Sequence, residues 1–280
     1  SLDHQLAARH GSLVSGRVVP MPEGDTLHRT AARLRPALVD QDVVAFEAPR
    51  LAGEGVPTGA TVLDVRAVGK HLFVDFDTGQ SLETHLGMPG SWHLARRGER
   101  WRRPRRDMRA LVVVAEWEAI CFLAPVVRLR RSSGPTVRPE HLGPDLCLAD
   151  IDIELVLARL ARFSDTETEI GSALLDQRIA AGIGNVYKCE VLAEVGVDPF
   201  APVVSVPAQD RRRLYETAAR LLRANLSTDR RVTFEGGVAV YGRAGRPCRR
   251  CGTTVEVSRQ GEQNRSTWWC PQCQPISTVS

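Results

Sequence analysis

The segment Cys248-Arg-Arg-Cys251 is followed, after eighteen residues, by Cys270-Pro-Gln-Cys273. Each Cys-x-x-Cys pair presents two thiolates from one tight turn, and two such pairs supply four ligands for a tetrahedral zinc ion. Four thiolates leave no coordination position for a substrate, so the spacing predicts one structural zinc ion. The intervening stretch, Gly252 to Trp269, is long enough for a β-hairpin and too short for a core of its own. We therefore predict a zinc-ribbon finger with four cysteine ligands.

Two structural disulfides are the alternative use of these four cysteines. The residues ahead of them do not read as a secretory signal, and three further cysteines lie in apolar stretches that indicate buried, reduced thiols. These are Cys121, Cys147 and Cys189. An intracellular protein is therefore expected, and a reducing compartment favours zinc over disulfides.

Arginine is concentrated in a few segments of the 280-residue chain, whose net charge is +4. Eight arginines lie in the run from Arg96 to Arg109, with only two acidic residues among them. A GC-rich genome is the simple explanation, but clustering in loops around a metal module favours a polyanionic partner. The sequence has no apolar run of membrane-spanning length, so no membrane partner is expected.

The first half of the chain predicts a β-sandwich preceded by one helix. The helix should cover residues 25–38, with Asp25 as its N-cap. Over residues 61–122, apolar and polar residues alternate in several short segments at the spacing typical of a β-sandwich or barrel. In the first of these strands we expect Leu63 and Val65 to share one face.

The second half changes to helical spacing after a linker that contains Pro139 and Pro144. Helices are predicted over residues 153–163, 169–179, 186–195 and 207–226. Glycines at positions 182 and 184 separate the second and third helices, which indicates a helix–two-turn–helix arrangement. The expected fold class is therefore α+β: an N-terminal β-sandwich with a flanking helix, a helical domain, and the zinc finger.

The boundaries follow from these changes of pattern. We expect an upstream extension over residues 1–21, a sandwich domain over 22–138, a linker over 139–149, a helix–two-turn–helix domain over 150–235, a zinc finger over 236–275 and a tail over 276–280.

Five segments carry a more specific signal. They are Met21-Pro-Glu-Gly-Asp25, Val68-Gly-Lys-His-Leu72, His85-Leu-Gly-Met-Pro-Gly-Ser-Trp92, Leu175-Asp-Gln-Arg-Ile-Ala-Ala-Gly-Ile-Gly-Asn-Val-Tyr187, and Val240-Tyr-Gly-Arg243 continuing through the four cysteines. In this order they resemble the formamidopyrimidine-DNA glycosylase and endonuclease VIII family. The resemblance covers residues 22–274 and implies a bifunctional DNA glycosylase and abasic-site lyase.

The start of the resemblance implies a nucleophile, Pro22, and an acid, Glu23. A terminal amine has a pKa near about 7.7–8.0, so a substantial fraction is neutral and can attack a sugar carbon at neutral pH, unlike an ordinary lysine. The secondary amine of proline then collapses to an iminium, while Glu23 supplies or removes protons. Pro22 is internal in the 280-residue sequence. Its nitrogen is therefore an amide until the residues before it are removed.

Four further residues receive roles from the resemblance. Lys70 would contact the lesion sugar or its phosphate, although a lone lysine at a strand start is ordinarily only solvated. Arg265, at the tip of the finger, would grip the phosphates beside the everted nucleotide with its planar guanidinium. Asn185 would contact a phosphate at a helix start, or serve simply as an N-cap. Met88, in a Gly-Met-Pro-Gly turn, would be the wedge that fills the place of the everted base, with a core filler as the alternative.

The chain departs from the family pattern in three places. Thr26 stands where many relatives have a second glutamate, and the Arg-Phe-Gly segment of the formamidopyrimidine branch has no clear match. The stretch Ser227 to Gly237, which in that branch forms a capping loop over 8-oxoguanine, is short. We therefore favour oxidised pyrimidines over oxidised purines as substrates.

Two other interpretations stay open. Thr26 and the missing wedge pair permit a damage-binding protein without catalysis, and the finger alone would fit a zinc-ribbon interaction module. The favoured interpretation is a base excision repair enzyme that acts on damaged DNA by Schiff-base chemistry at Pro22 and by β,δ-elimination. It implies one structural zinc ion, a monomer, and a bacterial, nucleoid-associated, cytoplasmic location.

Overall fold

The computed structural model describes residues 21–131, 139, 141–228 and 230–275. The predicted tail, and the predicted extension apart from Met21, lie outside these residues. The chain divides into two compact units, one comprising Met21–Glu140 and the other carrying the chain from His141 onward. None of the described helices is long and apolar enough to span a lipid bilayer.

Helix α1, Gly24–Leu38, opens the first unit. Its apolar residues recur at helical spacing and are buried, as Leu27, Leu34 and Leu38 illustrate. The N-cap is Glu23, not Asp25 as the sequence predicted. The backbone carbonyl of Glu23 accepts the N–H groups of the first turn, so the helix begins one residue earlier and Asp25 becomes a buried residue of that turn.

Two four-stranded antiparallel sheets complete the first unit and confirm the predicted sandwich. The strands are β1 (Ala45–Glu47), β2 (Val62–Val68), β3 (His71–Phe76), β4 (Gln80–His85), β5 (Ser91–Arg96), β6 (Met108–Val113), β7 (Trp117–Phe122) and β8 (Val126–Arg131). One sheet has the order β1-β6-β7-β5 and the other β2-β3-β4-β8. Apolar side chains from both sheets and from α1 form a single core.

The prediction that Leu63 and Val65 share one face of β2 is wrong. The pairing of β2 with β3 shifts register between Val62 and Asp64, which places two residues of β2 against one of its partner. Val62 and Val65 therefore point into the core, whereas Leu63 is 55% exposed. Simple alternation along the sequence cannot reveal such a bulge, because the bulge changes the face by one residue.

The second unit is helical up to the finger, which confirms the predicted helix–two-turn–helix arrangement. Its helices are α2 (Ile153–Phe163), α3 (Ile170–Leu175), α4 (Asn185–Val195) and α5 (Ala208–Ala224). Their apolar faces share one core. Helix α3 ends four residues earlier than predicted because the Asp176 carboxylate accepts the backbone N–H of Arg178 and forms a turn. Gly182 lies in the turns before α4 with φ of +109°, a value that favours glycine.

The finger contains a β-hairpin, as predicted. Strand β9 (Glu256–Gln260) pairs antiparallel with β10 (Arg265–Trp269) across the turn Gly261 to Asn264. The pairing sets Arg265 directly opposite Gln260. Asn264 takes a left-handed conformation with φ of +50°, which asparagine tolerates at a hairpin turn.

Candidate functional site

Pro22 and Glu23 lie at the N-terminus of α1. Pro22 is half-buried and Glu23 is fully buried. The backbone N–H of Glu23 donates to Thr26 Oγ1 at 3.4 Å, so the residue that departs from the family pattern closes the first turn of the helix. The helix dipole stabilises a carboxylate at this position. The arrangement therefore holds an acid next to the residue predicted to provide the amine.

Lys70 occupies the two-residue turn, Gly69-Lys70, that joins β2 to β3. Gly69 has φ of +56°, which supplies the left-handed residue that a tight hairpin turn requires. The pairing of Val68 with His71 then places Lys70 at the very end of the hairpin. The positive charge of Lys70 contributes to lowering the pKa of His85, the last residue of β4.

A buried charged cluster lies on strands β3, β4 and β8 beside this turn. Glu83 is almost fully buried, its Oε1 lies 2.8 Å from His71 Nδ1, and its other oxygen accepts from Arg130 Nε. Burial alone would raise the pKa of Glu83, but the hydrogen bonds from His71 and Arg130 prevail and lower it to about 2. Burial, together with the charges of His71 and Lys70, lowers the pKa of His85 to about 4.

None of the residues in this cluster is among the predicted site residues. Glu83 and His85 are two residues apart and fall on one face of β4, which otherwise reads as an ordinary strand. The signal that could have indicated it is two ionisable residues at alternate positions of β4, on the face opposite the core residue Leu82. The partner on β8, Arg130, is 47 residues away from Glu83 and only the sheet pairing brings it close.

Met88 lies in the turn between β4 and β5 and is 67% exposed. Gly90 N–H donates to the carbonyl of Leu86 at 2.9 Å, and Gly87 N–H donates to His85 Nδ1 at 3.2 Å, so the turn is firmly held. The alternative of a core filler is therefore wrong. An apolar, unbranched side chain projects from a fixed turn.

The four cysteines of the finger converge. The Sγ atoms of Cys248 and Cys273 lie 4.0 Å apart and those of Cys251 and Cys270 lie 3.4 Å apart, and all four lie within 4.8 Å of one another. A disulfide requires about 2.05 Å, so the disulfide alternative is wrong for this geometry. Four thiolates on a zinc ion at about 2.3 Å would lie roughly 3.8 Å apart.

The pKa values of these cysteine thiols are shifted in different directions. Hydrogen bonds from Thr253 lower the pKa of Cys251 to about 6. Burial raises the pKa of Cys270 and Cys273. A bound cation would hold all four sulfurs as thiolates, because metal ligation deprotonates a thiol. The cluster is therefore able to bind one metal ion.

Two side chains of α4 attach the finger hairpin. Asn185 Nδ2 donates to the carbonyl of Ser266 at 2.8 Å, next to Arg265. The N-cap of α4 is Gly184, so the alternative of Asn185 as a simple N-cap is wrong. Lys188 is fully buried, and its Nζ lies 2.6 Å from Thr267 Oγ1.

The predicted site residues are divided between the two units. Pro22, Glu23, Lys70 and Met88 belong to the first unit. Asn185 and Arg265 lie together in the second unit, which also contains the four cysteines. Arg265 is held at the hairpin tip, where its Nε donates to Gln263 Oε1 at 2.9 Å.

Comparison with known proteins agrees with this division. The profile of the formamidopyrimidine-DNA glycosylase N-terminal domain matches residues 21–124, and that of the formamidopyrimidine-DNA glycosylase H2TH domain matches residues 142–235. A probable endonuclease 8 2 of Streptomyces coelicolor is 43% identical over 91% of this chain and 94% of its own. The DNA-(apurinic or apyrimidinic site) lyase Nei2 of Mycolicibacterium smegmatis is 37% identical over 92% of this chain and its own full length.

Solved structures share the fold. The Lactococcus lactis formamidopyrimidine-DNA glycosylase, solved bound to DNA that contains an abasic site, superposes with a TM-score of 0.76 at 23% identity. The match covers 90% of this chain and 99% of that one. Since both family profiles match in order and a relative is 43% identical over nearly its whole length, the chain belongs to the formamidopyrimidine-DNA glycosylase and endonuclease VIII family of base excision repair enzymes.

Proposed function

We propose that this protein is a DNA glycosylase and abasic-site lyase that removes oxidised pyrimidines through the amine of Pro22. The observation that carries the proposal is the fully buried Glu23 carboxylate, set next to Pro22 at the N-terminus of α1. A buried acid adjacent to an amine provides the proton donor and acceptor that imine formation and elimination both require. The names of the full-length relatives support the same chemistry.

The proposed reaction begins once Pro22 is the terminal residue. Its neutral amine attacks C1′ of the everted nucleoside, and Glu23 protonates the ring oxygen as the sugar opens. The proton that the Pro22 nitrogen loses goes to the base, which departs as its C1′–N bond breaks and leaves an iminium between Pro22 and C1′. Loss of a C2′ proton expels the 3′ phosphate, a second elimination expels the 5′ phosphate, and water hydrolyses the iminium to restore the amine.

The remaining predicted residues orient the DNA. Lys70, at the end of the β2–β3 hairpin, would contact the lesion sugar or its phosphate and assist elimination. Arg265 would bind the phosphates beside the everted nucleotide, and Asn185 would reach the same backbone from the start of α4. Met88 would fill the vacated place in the stack, which its exposed position on a fixed turn supports.

We assign the metal of the four-cysteine cluster as one structural zinc ion. The donor set of four sulfurs fits zinc better than a hard cation, and it leaves no open coordination position for chemistry. The residues that would hold it are Cys248, Cys251, Cys270 and Cys273. A zinc ion there would fix the hairpin that carries Arg265.

Oxidised pyrimidines are the proposed substrates for two reasons. The segment Ser227 to Gly237 is short for a loop that covers an oxidised purine, and three of the similar relatives are named endonuclease 8. The His85-Leu-Gly-Met88 motif resembles the purine branch and makes oxidised purines the second candidate. A monomer bound to damaged DNA in the bacterial cytoplasm is the setting that this function implies.

Borohydride trapping tests the covalent step. Protein whose N-terminus is verified by mass spectrometry as Pro22 should cross-link to DNA that carries an abasic site or thymine glycol. The Pro22→Gly variant should trap poorly, and protein that retains residues before Pro22 should not trap. A panel of single-lesion duplexes then ranks pyrimidines against purines. Binding to abasic DNA without cross-linking or scission by the correctly processed protein would instead identify a catalytically silent damage-binding protein.

A further inference from the structure

The loop between β5 and β6 packs, through Trp101, against the face of the β1-β6-β7-β5 sheet that points away from the core. Trp101 packs edge-on against Phe122 at a ring distance of 6.0 Å, and its Nε1 donates to Glu118 Oε2 at 2.6 Å. Trp101 also joins an apolar cluster on this face. The next two residues, Arg102 and Arg103, have exposed side chains. The contacts of Trp101 fix the chain immediately before them. The loop that carries the arginine run is therefore attached to the sheet at Trp101.

The arginines of this loop differ in how their charge is balanced. Arg105 donates to both oxygens of Glu47, at 2.7 and 2.6 Å, and Arg96 Nη1 donates to one oxygen of Glu116 at 2.6 Å. Within the described part of the chain, no carboxylate forms an ion pair with Arg102 or Arg103. Two adjacent positive charges at the middle of the loop thus face solvent unbalanced.

Arg33 of helix α1 adds a third such charge. Its Nη2 donates to the backbone carbonyl of Trp92 at 3.0 Å, which ties the helix to β5. Arg29 and Arg35, on the same helix, each form an ion pair with an aspartate. Arg33 has no such carboxylate among the residues that the structure describes. Arg33, Arg102 and Arg103 are hereafter the arginine cluster.

The arginine cluster lies near His93 of β5, because Arg33 binds the carbonyl of the preceding residue, Trp92, and Trp101, next to Arg102, packs on the same Phe122 ring as His93. The His93 ring packs edge-on against Phe122 at 5.1 Å, and its Nε2 lies 3.0 Å from Ser91 Oγ. Burial lowers the pKa of His93, and the charges of the three arginines lower it further. An anion bound to the arginines would offset that repulsion. The pKa of His93 should therefore rise when an anion binds to the arginine cluster.

We propose that the arginine cluster is a phosphate-binding surface for the DNA duplex that flanks the lesion. The inference rests on the proposed function, because it needs Met88 to enter the DNA stack. Met88 and His93 are five residues apart, so at most about 17 Å separates the wedge residue from His93, which lies beside the cluster. One strand presents a phosphate about every 3.4 Å of helix axis. His93 therefore lies within about five base pairs of the wedge, and the planar guanidinium groups beside it suit phosphate oxygens.

The salt dependence of binding tests this surface. We would measure the affinity for a duplex with a stable abasic-site analogue over roughly 50 to 200 mM salt. Arg102→Gln and Arg103→Gln should each lower the slope of log affinity against log salt by about one. Arg105→Gln is the matched control from the same loop, since Glu47 already balances its charge. An unchanged slope for both cluster variants would overturn the proposal.

The His93 ring provides an independent readout. Titration by NMR, with His93→Gln to assign the signal, should show that DNA raises the pKa of His93 in the wild-type protein. The rise should be absent in the Arg102→Gln/Arg103→Gln double variant. A duplex that ends about two base pairs from the lesion should give a smaller rise than one that extends about ten base pairs on each side. A His93 pKa that DNA leaves unchanged would contradict a phosphate at the cluster.

The two proposals fail in different ways. Processed wild-type protein that does not trap with borohydride would contradict the lyase function. If the salt slopes and the His93 pKa still change as stated, the arginine cluster nevertheless binds DNA. If trapping is normal while the salt slopes and the His93 pKa do not change, the lyase function is supported and phosphate binding by the arginine cluster is contradicted.

Discussion

The ammonium of Lys188 lies 2.6 Å from Thr267 Oγ1, inside the contact between helix α4 and the finger hairpin. Lys188 also reaches Gln260 Oε1 at 3.3 Å, and Thr267 Oγ1 donates to the same oxygen at 2.7 Å. Gln260 pairs directly with Arg265 across the hairpin. A buried lysine thus holds the strand position opposite the arginine that we assign to phosphate binding.

Replacement of Lys188 by methionine should destabilise the finger. The change leaves the buried oxygens of Thr267 and Gln260 without their charged donor, and we expect a loss of about 1–3 kcal/mol in the free energy of unfolding. Chemical denaturation measures it. Arg259→Met is the matched control, because Arg259 is exposed on the same hairpin and should change stability by less than about 0.5 kcal/mol. Equal effects of the two substitutions would contradict a role for the buried network.

A double-mutant cycle shows whether Lys188 acts through Thr267. Thr267→Val removes the hydroxyl that Lys188 contacts, so the two substitutions should not be additive. We expect a coupling energy of at least about 0.5 kcal/mol. Strict additivity would mean that the two side chains contribute separately.

Metal removal should selectively disrupt the finger. Cys270→Ser should lower the metal content measured by mass spectrometry from one zinc ion to none, because three thiolates bind zinc less well than four. Cys121→Ala, which removes a buried thiol of the first unit, should retain the ion. Chelation of the wild-type protein should abolish DNA binding through loss of the hairpin. Full metal content in Cys270→Ser would count against the assigned site.

Glu23→Gln should separate chemistry from folding. Glutamine has nearly the shape of glutamate but cannot exchange a proton, so scission of abasic DNA should fall by about 10²–10⁴-fold. The free energy of unfolding should change by no more than about 1 kcal/mol. Thr30→Val, on the next turn of α1, is the control and should change neither quantity appreciably. Undiminished scission by Glu23→Gln would remove Glu23 from the mechanism.

The pKa of His85 predicts a loss of stability in mild acid. Its folded-state pKa of about 4 is below the ordinary 6.5, so the unfolded chain binds the proton more tightly. Stability should therefore be constant above pH 6.5, fall between pH 6.5 and about 4, and lose about 1–3 kcal/mol in that window. Denaturation at several pH values measures this, and His85→Gln should flatten the profile there. A flat wild-type profile over the same window would refute it.

The lowered pKa of Glu83 predicts a second loss of stability at a more acidic pH. Its pKa is lowered to about 2, so its ionised form stabilises the fold above the ordinary value of 4.5. That contribution should be lost as the pH falls from 4.5 to about 2. Glu83→Gln should remove the loss in this lower window and leave the His85 window in place. Loss of both windows in one variant would show that the two groups titrate together.

Much of the fold was predictable from local patterns. The stripe of buried leucines on α1, the alternation along the strands and the glycines before α4 each involve neighbours a few residues apart. Such patterns express helix and strand geometry directly, so the sandwich and the helical unit follow from them. The face of Leu63 could not be predicted, because a bulge shifts the strand by one residue without a distinctive residue type.

The sequence by itself determined which four cysteines cluster and which residues, Pro22 and Glu23, resemble a lyase terminus. Both depend on spacing within one turn or on adjacency, which the covalent chain imposes. Only the tertiary structure decided the partners of Lys188, Glu83 and His93. Their contacts join residues far apart in the sequence, and a buried charge is stable only where folding brings a matching group to it.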